Sequence, residues 1–357
     1  MTHQLIASPY PGGHLVVRPG RDGGIRIGAA RYAELRDAPP GAPVPAWLAE
    51  PASAGWNINL TGQQISGTVL VRPETAYGYA RASYELNLGC NYDCEHCYLG
   101  EKLFSGMDWP GRERLLQVIA DAGVLWLQLN GEPTVHPDFA ALLSHAIDAG
   151  LAAEVYSNLT HVRDSWWDLF ACPEVSLATS YYSDDPREHD AITGRPGSHA
   201  RTLANIGQAV SRGIPLRAGI VELTDGQRTS QARAELEAIG VTRIRTDRVR
   251  RLGRAASAGP DVSELCGNCG RGIAAVLPSG DVCPCVMARW LTAGNIRDMP
   301  LAAILSGPAL AAATAVIPAR SRRAGSSDPC APDSDSDICP PPAGTVLYAI
   351  GSRGESA

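Results

Sequence analysis

From about residue 82 the chain repeats one pattern: a short, largely apolar run, then a longer stretch whose apolar residues recur at helical spacing. SYELNLG, VLWLQLNG, AEVYSN, EVSLATS, LRAGIVEL and RIRTDRV are the short runs. With little alternation of apolar and polar positions, they read as parallel strands buried on both faces. In RERLLQVIADAG, between the first two, Leu115, Leu116, Val118, Ile119 and Ala122 recur at the helical period. Gly123, Gly150, Gly213 and Gly240 each stand just before a run, where a helix stops in the left-handed conformation that glycine adopts without a Cβ penalty. Six strand–helix units in a row predict an α/β fold, a partial (β/α)6 TIM-type barrel with its active residues at the C-terminal strand ends.

The flanks differ. Residues 1–78 are rich in Pro and Gly, with LVVRP and GIRIGA as a short hairpin, RYAELRDA as a helix and PPGAPVP as a linker. They predict a small N-terminal accessory domain, either a structural cap or a recognition module. The barrel occupies 79–254. Residues 255–357 form a cysteine-rich C-terminal domain that passes into a Ser/Pro/Asp-rich tail after Pro318.

A formal net charge of −6 over 357 residues lacks the basic footprint of a nucleic-acid binder. No apolar run approaches the roughly 18–20 residues that span a bilayer, and MTHQLIASPYPGG has neither the charged nor the apolar region of a secretory signal. A cytoplasmic protein without a membrane or nucleic-acid partner is expected. In a reducing compartment its ten cysteines point to metal binding or catalysis rather than disulfides. Nine of them fall in two regions, 90–97 and 266–339, and Cys172 stands apart.

CNYDCEHC places Cys90, Cys94 and Cys97 in one loop just after the first barrel strand. Three thiolates can ligate three irons of a cubane cluster and leave the fourth open to a ligand. Zinc, with His96 as a fourth ligand, is the alternative, although a side chain between two ligands tends to point away from the metal. This CxxxCxxC spacing resembles the radical SAM superfamily. The resemblance implies a [4Fe–4S] cluster on the three cysteines, with S-adenosylmethionine (SAM) chelating the unique iron, and reductive cleavage of SAM to a 5′-deoxyadenosyl radical. It also implies SAM contacts from Tyr98 beside the last cysteine and from Asn130, Gly131 and Glu132 in NGEP, which is similar to the family's GGEP segment. Ser157 and Asn158 stand at the end of the third strand, where the family carries a TNG-like segment. Ser180 opens a stretch similar to its SLDG…HD…TG…GS pattern, and Arg217 is a further candidate on the fifth strand.

CGNCGRGIAAVLPSGDVCPC carries Cys266, Cys269, Cys283 and Cys285, with Ser279-Gly280-Asp281 as a hairpin turn. This piece and the following GNIRD resemble the auxiliary-cluster extension called SPASM, or its shortened form, twitch. The resemblance implies one auxiliary [4Fe–4S] cluster, a second being conceivable, held by Cys266, Cys269 and Cys285 with Cys330 or Cys339 as the distant fourth ligand. A structural zinc knuckle is the alternative. Cys283, left over, is a candidate hydrogen donor to a substrate radical. Cys172, at the opposite end of a strand, reads as a buried small hydrophobe.

Extensions of this type accompany enzymes acting on ribosomally made peptides. The resemblance therefore implies a peptide-modifying oxidoreductase that forms an oxidative cross-link in a precursor peptide, fed by an external electron donor such as flavodoxin or ferredoxin. The accessory domain would bind the leader along a strand edge. Peptide epimerisation, dehydrogenation of a small molecule, maturation of a protein, and a non-catalytic metal-binding role are the alternatives.

Overall fold

A computed structural model describes residues 3–10, 13–19, 21, 24–74, 81–100, 102 and 106–318. Residues 5–71 build the accessory domain: strands β1 (Leu5–Tyr10), β2 (Gly13–Val17) and β3 (Ile25–Ile27), helices α1 (Ala29–Arg36), α2 (Ala46–Trp56) and α3 (Ile65–Thr68), and strand β4 (Val69–Val71). The sheet order is β3-β2-β1-β4, with β1 and β4 parallel and the other pairs antiparallel. The predicted hairpin is β2–β3. Its preceding partner β1 and the helix α2, with Pro51 inside it, were hidden by the Pro-rich composition. One face of this sheet covers Tyr32, Leu35, Leu48 and Leu60.

The other face, through Ile6, Tyr10, Leu15 and Val17, packs on Leu125, Trp126 and Ala152 at the start of two barrel strands. Arg72 pins this contact, its guanidinium donating to the carbonyls of Ala120 (2.6 Å) and Val124. The accessory domain thus sits against the floor of the barrel.

The six runs form β5 (Arg81–Glu85), β6 (Trp126–Asn130), β7 (Ala152–Tyr156), β8 (Val175–Tyr181), β9 (Leu216–Glu222) and β10 (Arg243–Arg248). All pair parallel in chain order. The helices between them are α4 (Trp109–Asp121), α5 (Phe139–Asp148), α6 (Trp167–Phe170), α7 (Pro186–Thr193), α8 (Ser198–Ser211) and α9 (Thr229–Ala238). Asp108 caps α4 by accepting from the Gly111 amide at 3.0 Å, as N-cap carboxylates do. The four predicted glycine stops have φ between 68° and 94°. Leu115, Leu116, Ile119, Leu142 and Phe139 are fully or nearly fully buried in the single large core.

The hairpin strands β11 (Ile273–Val276) and β12 (Asp281–Cys283), with β13 (Gly294–Asn295), extend this sheet rather than forming a separate one. β11 lies parallel to β5, pairing Ile273 with Arg81 and Val276 with Tyr84. The described part of the chain then ends with α10 (Leu301–Leu305) and α11 (Pro308–Ala315).

Arg217 is not at the cavity at the strand tops. It is the second residue of β9 and clamps Glu154 of β7 with both fork nitrogens, Nε to Oε1 at 2.7 Å and Nη2 to Oε2 at 2.8 Å. Both side chains are buried. Burial pushes the Glu154 carboxyl up, but Arg217, Arg81 and Gln128 outweigh it and bring the carboxyl down to about 2. Arg217→Met leaves a buried carboxylate without its main partner, a change that costs about 3–5 kcal/mol. Because the folded value lies below the ordinary 4.5, the pair's stabilisation is present above that value and lost as pH falls towards 2. Urea denaturation should show the wild-type advantage at pH 7 and its narrowing below pH 4.5.

Candidate active site

The C-terminal ends of the barrel strands open into a cavity of about 190 Å³, lined by all three clustered cysteines together with Glu132, Ser157, Asn158, Ser180 and Asp247. Tyr98, Asn130 and Gly131 also line it. Of the residues singled out for a cofactor, only Arg217 is elsewhere. Strand register explains the convergence: Glu85 pairs with Asn130 and Leu129 with Val155, so β5 to β7 end at one level, and β8, whose Ala178 pairs with Tyr156, runs on to Tyr181.

Glu132 occupies a left-handed conformation, φ 46°, just after Gly131, where a Cβ would collide with the Asn87 carbonyl oxygen. This bend turns the carboxylate inward. Oε1 accepts from the hydroxyls of Thr134 (2.5 Å) and Ser157 (2.6 Å), and Oε2 from the Asn158 amide (2.7 Å). Burial still holds the carboxyl above its usual range despite these donors. Glu132 therefore acts on the cavity by fixing the tops of β6 and β7 together. Asn158 carries the link onward, donating from Nδ2 to Asn91 Oδ1 at 2.6 Å and lying 3.8 Å from Cys90 Sγ.

The cysteine loop is braced from both sides. The Asp93 amide donates to the Thr193 carbonyl at 2.8 Å, and Asp190 accepts from the Gly197 and His199 amides and the Ser198 hydroxyl at 2.5–2.9 Å. The HD…TG…GS stretch thus forms a buttress behind the cysteine loop. On the other side, the Arg254 amide donates to the Cys97 carbonyl at 2.8 Å, and its guanidinium reaches Asp93 at 2.6 Å. Gly253 (φ 57°) lies against the Tyr98 carbonyl so closely that a Cβ would collide.

The donor set fits an iron–sulfur cluster. Three cysteines line one cavity, and the Tyr92 amide donates to Cys90 Sγ at 3.3 Å, the kind of hydrogen bond that tunes cluster sulfurs. Burial pushes the Cys90 and Cys94 thiols up to about 12, so metal loading must displace their protons. His96 Nε2 is instead engaged with the Tyr182 hydroxyl at 3.1 Å, consistent with a side chain turned from the ligand role.

A second cavity adjoins the first. Cys266, Cys269 and Cys285 line it, and Arg250, Val286 and Met287 line both cavities. Cys269 Sγ lies 2.7 Å from Cys285 Sγ and 3.9 Å from Cys266 Sγ, and the Asn268 amide donates to Cys266 Sγ at 3.4 Å. Three cysteine sulfurs are the donor type an iron–sulfur cluster takes, but at these separations they lie closer together than ligands on different irons of a cubane, so holding a cluster requires them to spread. Cys330 and Cys339 fall outside the described residues. Cys283 is fully buried, lines neither cavity, and its sulfur is turned to the Ala275 and Cys285 carbonyls at 3.8 and 3.3 Å. It is not placed to donate hydrogen into the first cavity. Cys172 lies on the barrel floor and is only half-buried, not the buried small hydrophobe expected, because it sits in the loop entering β8 and lines a cavity there.

A bridge centred on a buried carboxylate ties the loop after Cys97 to the segment after Cys285. Glu85, fully buried at the end of β5, accepts from the Tyr98 hydroxyl at 2.7 Å and pairs with Arg289, four residues after Cys285. Two features escaped sequence reasoning here. Asp247, Arg248 and Arg250 at the end of β10 line the first cavity, as the rule of C-terminal strand ends would have placed them; Asp247 is held by Arg250 at 3.2 Å. Arg289 carried no local signal at all.

Comparisons with known proteins agree with this geometry. Residues 84–225 match the radical SAM superfamily and residues 264–332 the SPASM iron–sulfur cluster-binding domain. The antilisterial bacteriocin subtilosin biosynthesis protein AlbA of Bacillus subtilis is 28% identical over 38% of this chain and 32% of its own length. The AdoMet-dependent heme synthase of Methanosarcina barkeri is 29% identical over 35% of this chain and 37% of its own. The chain thus matches only about a third of the length of these relatives. In fold it resembles Streptococcus suis SuiB, crystallised with its precursor peptide SuiA, with a TM-score of 0.63 at 11% identity over 87% of this chain and 90% of that one.

Proposed function

We propose that this chain, which matches the radical SAM superfamily over residues 84–225 and the SPASM domain over residues 264–332, modifies a ribosomally made precursor peptide, forming an oxidative cross-link. The observation that carries the reading is the adjacency of the two thiol-lined cavities, which share Arg250, Val286 and Met287. A radical SAM domain implies a [4Fe–4S] cluster and SAM, and a SPASM domain implies auxiliary iron–sulfur clusters. When bound, these groups supply a 5′-deoxyadenosyl radical and a nearby electron acceptor.

In this reading Cys90, Cys94 and Cys97 hold the first cluster. Cys266, Cys269 and Cys285 hold an auxiliary one, with Cys330 or Cys339 completing it. Asn130, Gly131, Ser157, Asn158 and Ser180 line the SAM pocket, Glu132 keeps its walls in register, and Tyr98 packs beside the third cysteine. Buried aromatic walls, Tyr92 and Tyr182 among them, exclude water that would otherwise quench a radical. Reducing equivalents come from an external donor of the flavodoxin or ferredoxin class. The accessory domain takes the leader as an added strand on the β3 edge, which among the described residues has only β2 beside it. The burial of Cys283 argues against the epimerase alternative, which needs a thiol in the cavity.

The test is an anaerobic incubation of reconstituted protein with dithionite, SAM and the short peptides encoded beside its gene. The expected result is 5′-deoxyadenosine together with a peptide that has lost a pair of hydrogens. Deuterium uptake from solvent without that loss would mean epimerisation. 5′-Deoxyadenosine with every peptide unchanged, and turnover of a small molecule such as a tetrapyrrole instead, would overturn the peptide reading.

A further inference from the structure

At the seam between the accessory domain and the barrel floor lies a cavity of about 280 Å³, away from both thiol sets. Its walls include Gln4, Arg18 and Arg21 from the accessory domain and Cys172 and Arg212 from the loops that enter β8 and β9. Three arginines therefore line one cleft of a chain whose net charge is −6.

What holds them in place is neutral. Arg18 donates to the Trp56 carbonyl at 2.6 Å, and Arg212 lies over the Trp167 ring at 5.3 Å. Burial, and then the neighbouring charge of Arg21, lower the affinity of Arg18 for its proton. Among the described residues no carboxylate lines the cleft. Asp168 and Glu174 are near enough to act on the Cys172 thiol; Glu174 accepts from the His3 amide through Oε1 at 3.0 Å, and its buried Oε2 has no hydrogen-bond partner among the described residues. Asp22 lies outside the described residues. Gathered arginines repel one another, and a guanidinium fork matches a carboxylate in two parallel hydrogen bonds.

We infer that this seam binds acidic side chains of the precursor peptide, anchoring its leader across the joint between accessory domain and barrel. The inference rests on the proposed function and adds a site to it. An extended peptide is favoured over a free anion by continuity: β3, whose outer edge is unpaired among the described residues, begins four residues after Arg21. A strand added there carries alternate side chains past the arginines. The joint then reads leader charge on the floor while the chemistry proceeds at the strand tops.

The probe is a fluorescein-labelled decapeptide alternating Val and Glu, compared with its Val/Gln counterpart by anisotropy at low and moderate salt. Wild type should bind the Glu probe more tightly, with affinity falling as salt rises. Arg21→Gln/Arg212→Gln, at two exposed positions, should weaken it about tenfold. Arg18→Gln tests the half-buried member separately, with circular dichroism checking that its fold persists. Iron content and basal SAM cleavage of the double variant should match wild type. Equal binding of the two probes, no binding, or binding unchanged in the double variant would overturn the inference. So would displacement by inorganic phosphate at concentrations where chloride of equal ionic strength has no effect, which would mark a phosphate site. The peptide-modification reading is judged on different data, the 5′-deoxyadenosine and peptide masses above, so either idea can fail alone.

Discussion

The Cys90→Ala/Cys94→Ala/Cys97→Ala variant, reconstituted anaerobically, should cleave no SAM and hold about half the iron of wild type, about four atoms per chain against about eight. The expectation follows from two separate thiol sets, one in each cavity. Removing the first leaves Cys266, Cys269 and Cys285 untouched, so the residual iron reports the auxiliary site alone. About four irons in wild type falling to none would mean that the C-terminal thiols hold zinc or nothing. About twelve in wild type would mean a second auxiliary cluster. The three substitutions remove sulfur atoms but none of the backbone hydrogen bonds that brace the loop through Thr193 and Arg254, so circular dichroism should be little changed.

Arg289→Leu should be among the most destabilising single changes in the chain. Glu85 is fully buried, and Arg289 and the Tyr98 hydroxyl are its partners. Breaking a buried pair by deleting one member costs about 3–5 kcal/mol, and the low end applies because the Arg289 side chain is 24% exposed. The pH dependence has a definite sign. Burial holds the Glu85 carboxyl above its usual range even with Arg289 present, and loss of that cation raises it further. A carboxyl raised in the folded state favours folding while protonated and opposes it once ionised. The variant's deficit should therefore grow as pH rises from the ordinary carboxyl value through the raised folded one. Urea titrations at pH 5 and pH 8 measure this directly; a deficit equal at both, or larger at pH 5, would sink the account. Glu85→Gln/Arg289→Leu, which removes the buried charge, should recover much of the loss at pH 8. Since the bridge joins the loop after Cys97 to the loop after Cys285, it also fixes the spacing of the two cavities.

The six barrel strands, their glycine stops and the cysteine loop were legible in the sequence because each depends on neighbours along the chain. A helix ends at Gly123 for local steric reasons, and three cysteines within eight residues must share a loop wherever the fold puts it. The hairpin turn at Gly280, with φ 91°, is local in the same way. The site residues of NGEP and Ser157-Asn158 came from the resemblance to the radical SAM motifs, and their place at successive strand ends supported a shared ligand.

What depended on pairing across the chain was not legible. Strands buried on both faces show no alternation, so nothing in LRAGIVEL says that Arg217 faces Glu154 low in the barrel rather than the cavity. Cys283 and Cys285 are two residues apart, yet only packing against Ala275 decides that the first is sealed and the second faces Cys269. The joining of β11 to β5, the Glu85–Arg289 pair across 204 positions and the meeting of Arg18 with Arg212 at the seam arise from three-dimensional closure. Local sequence determined which elements form and which residues could bind metal. Tertiary structure alone decided which of those residues share a cavity, because burial and ion pairing act between groups that the chain brings together only once it has folded.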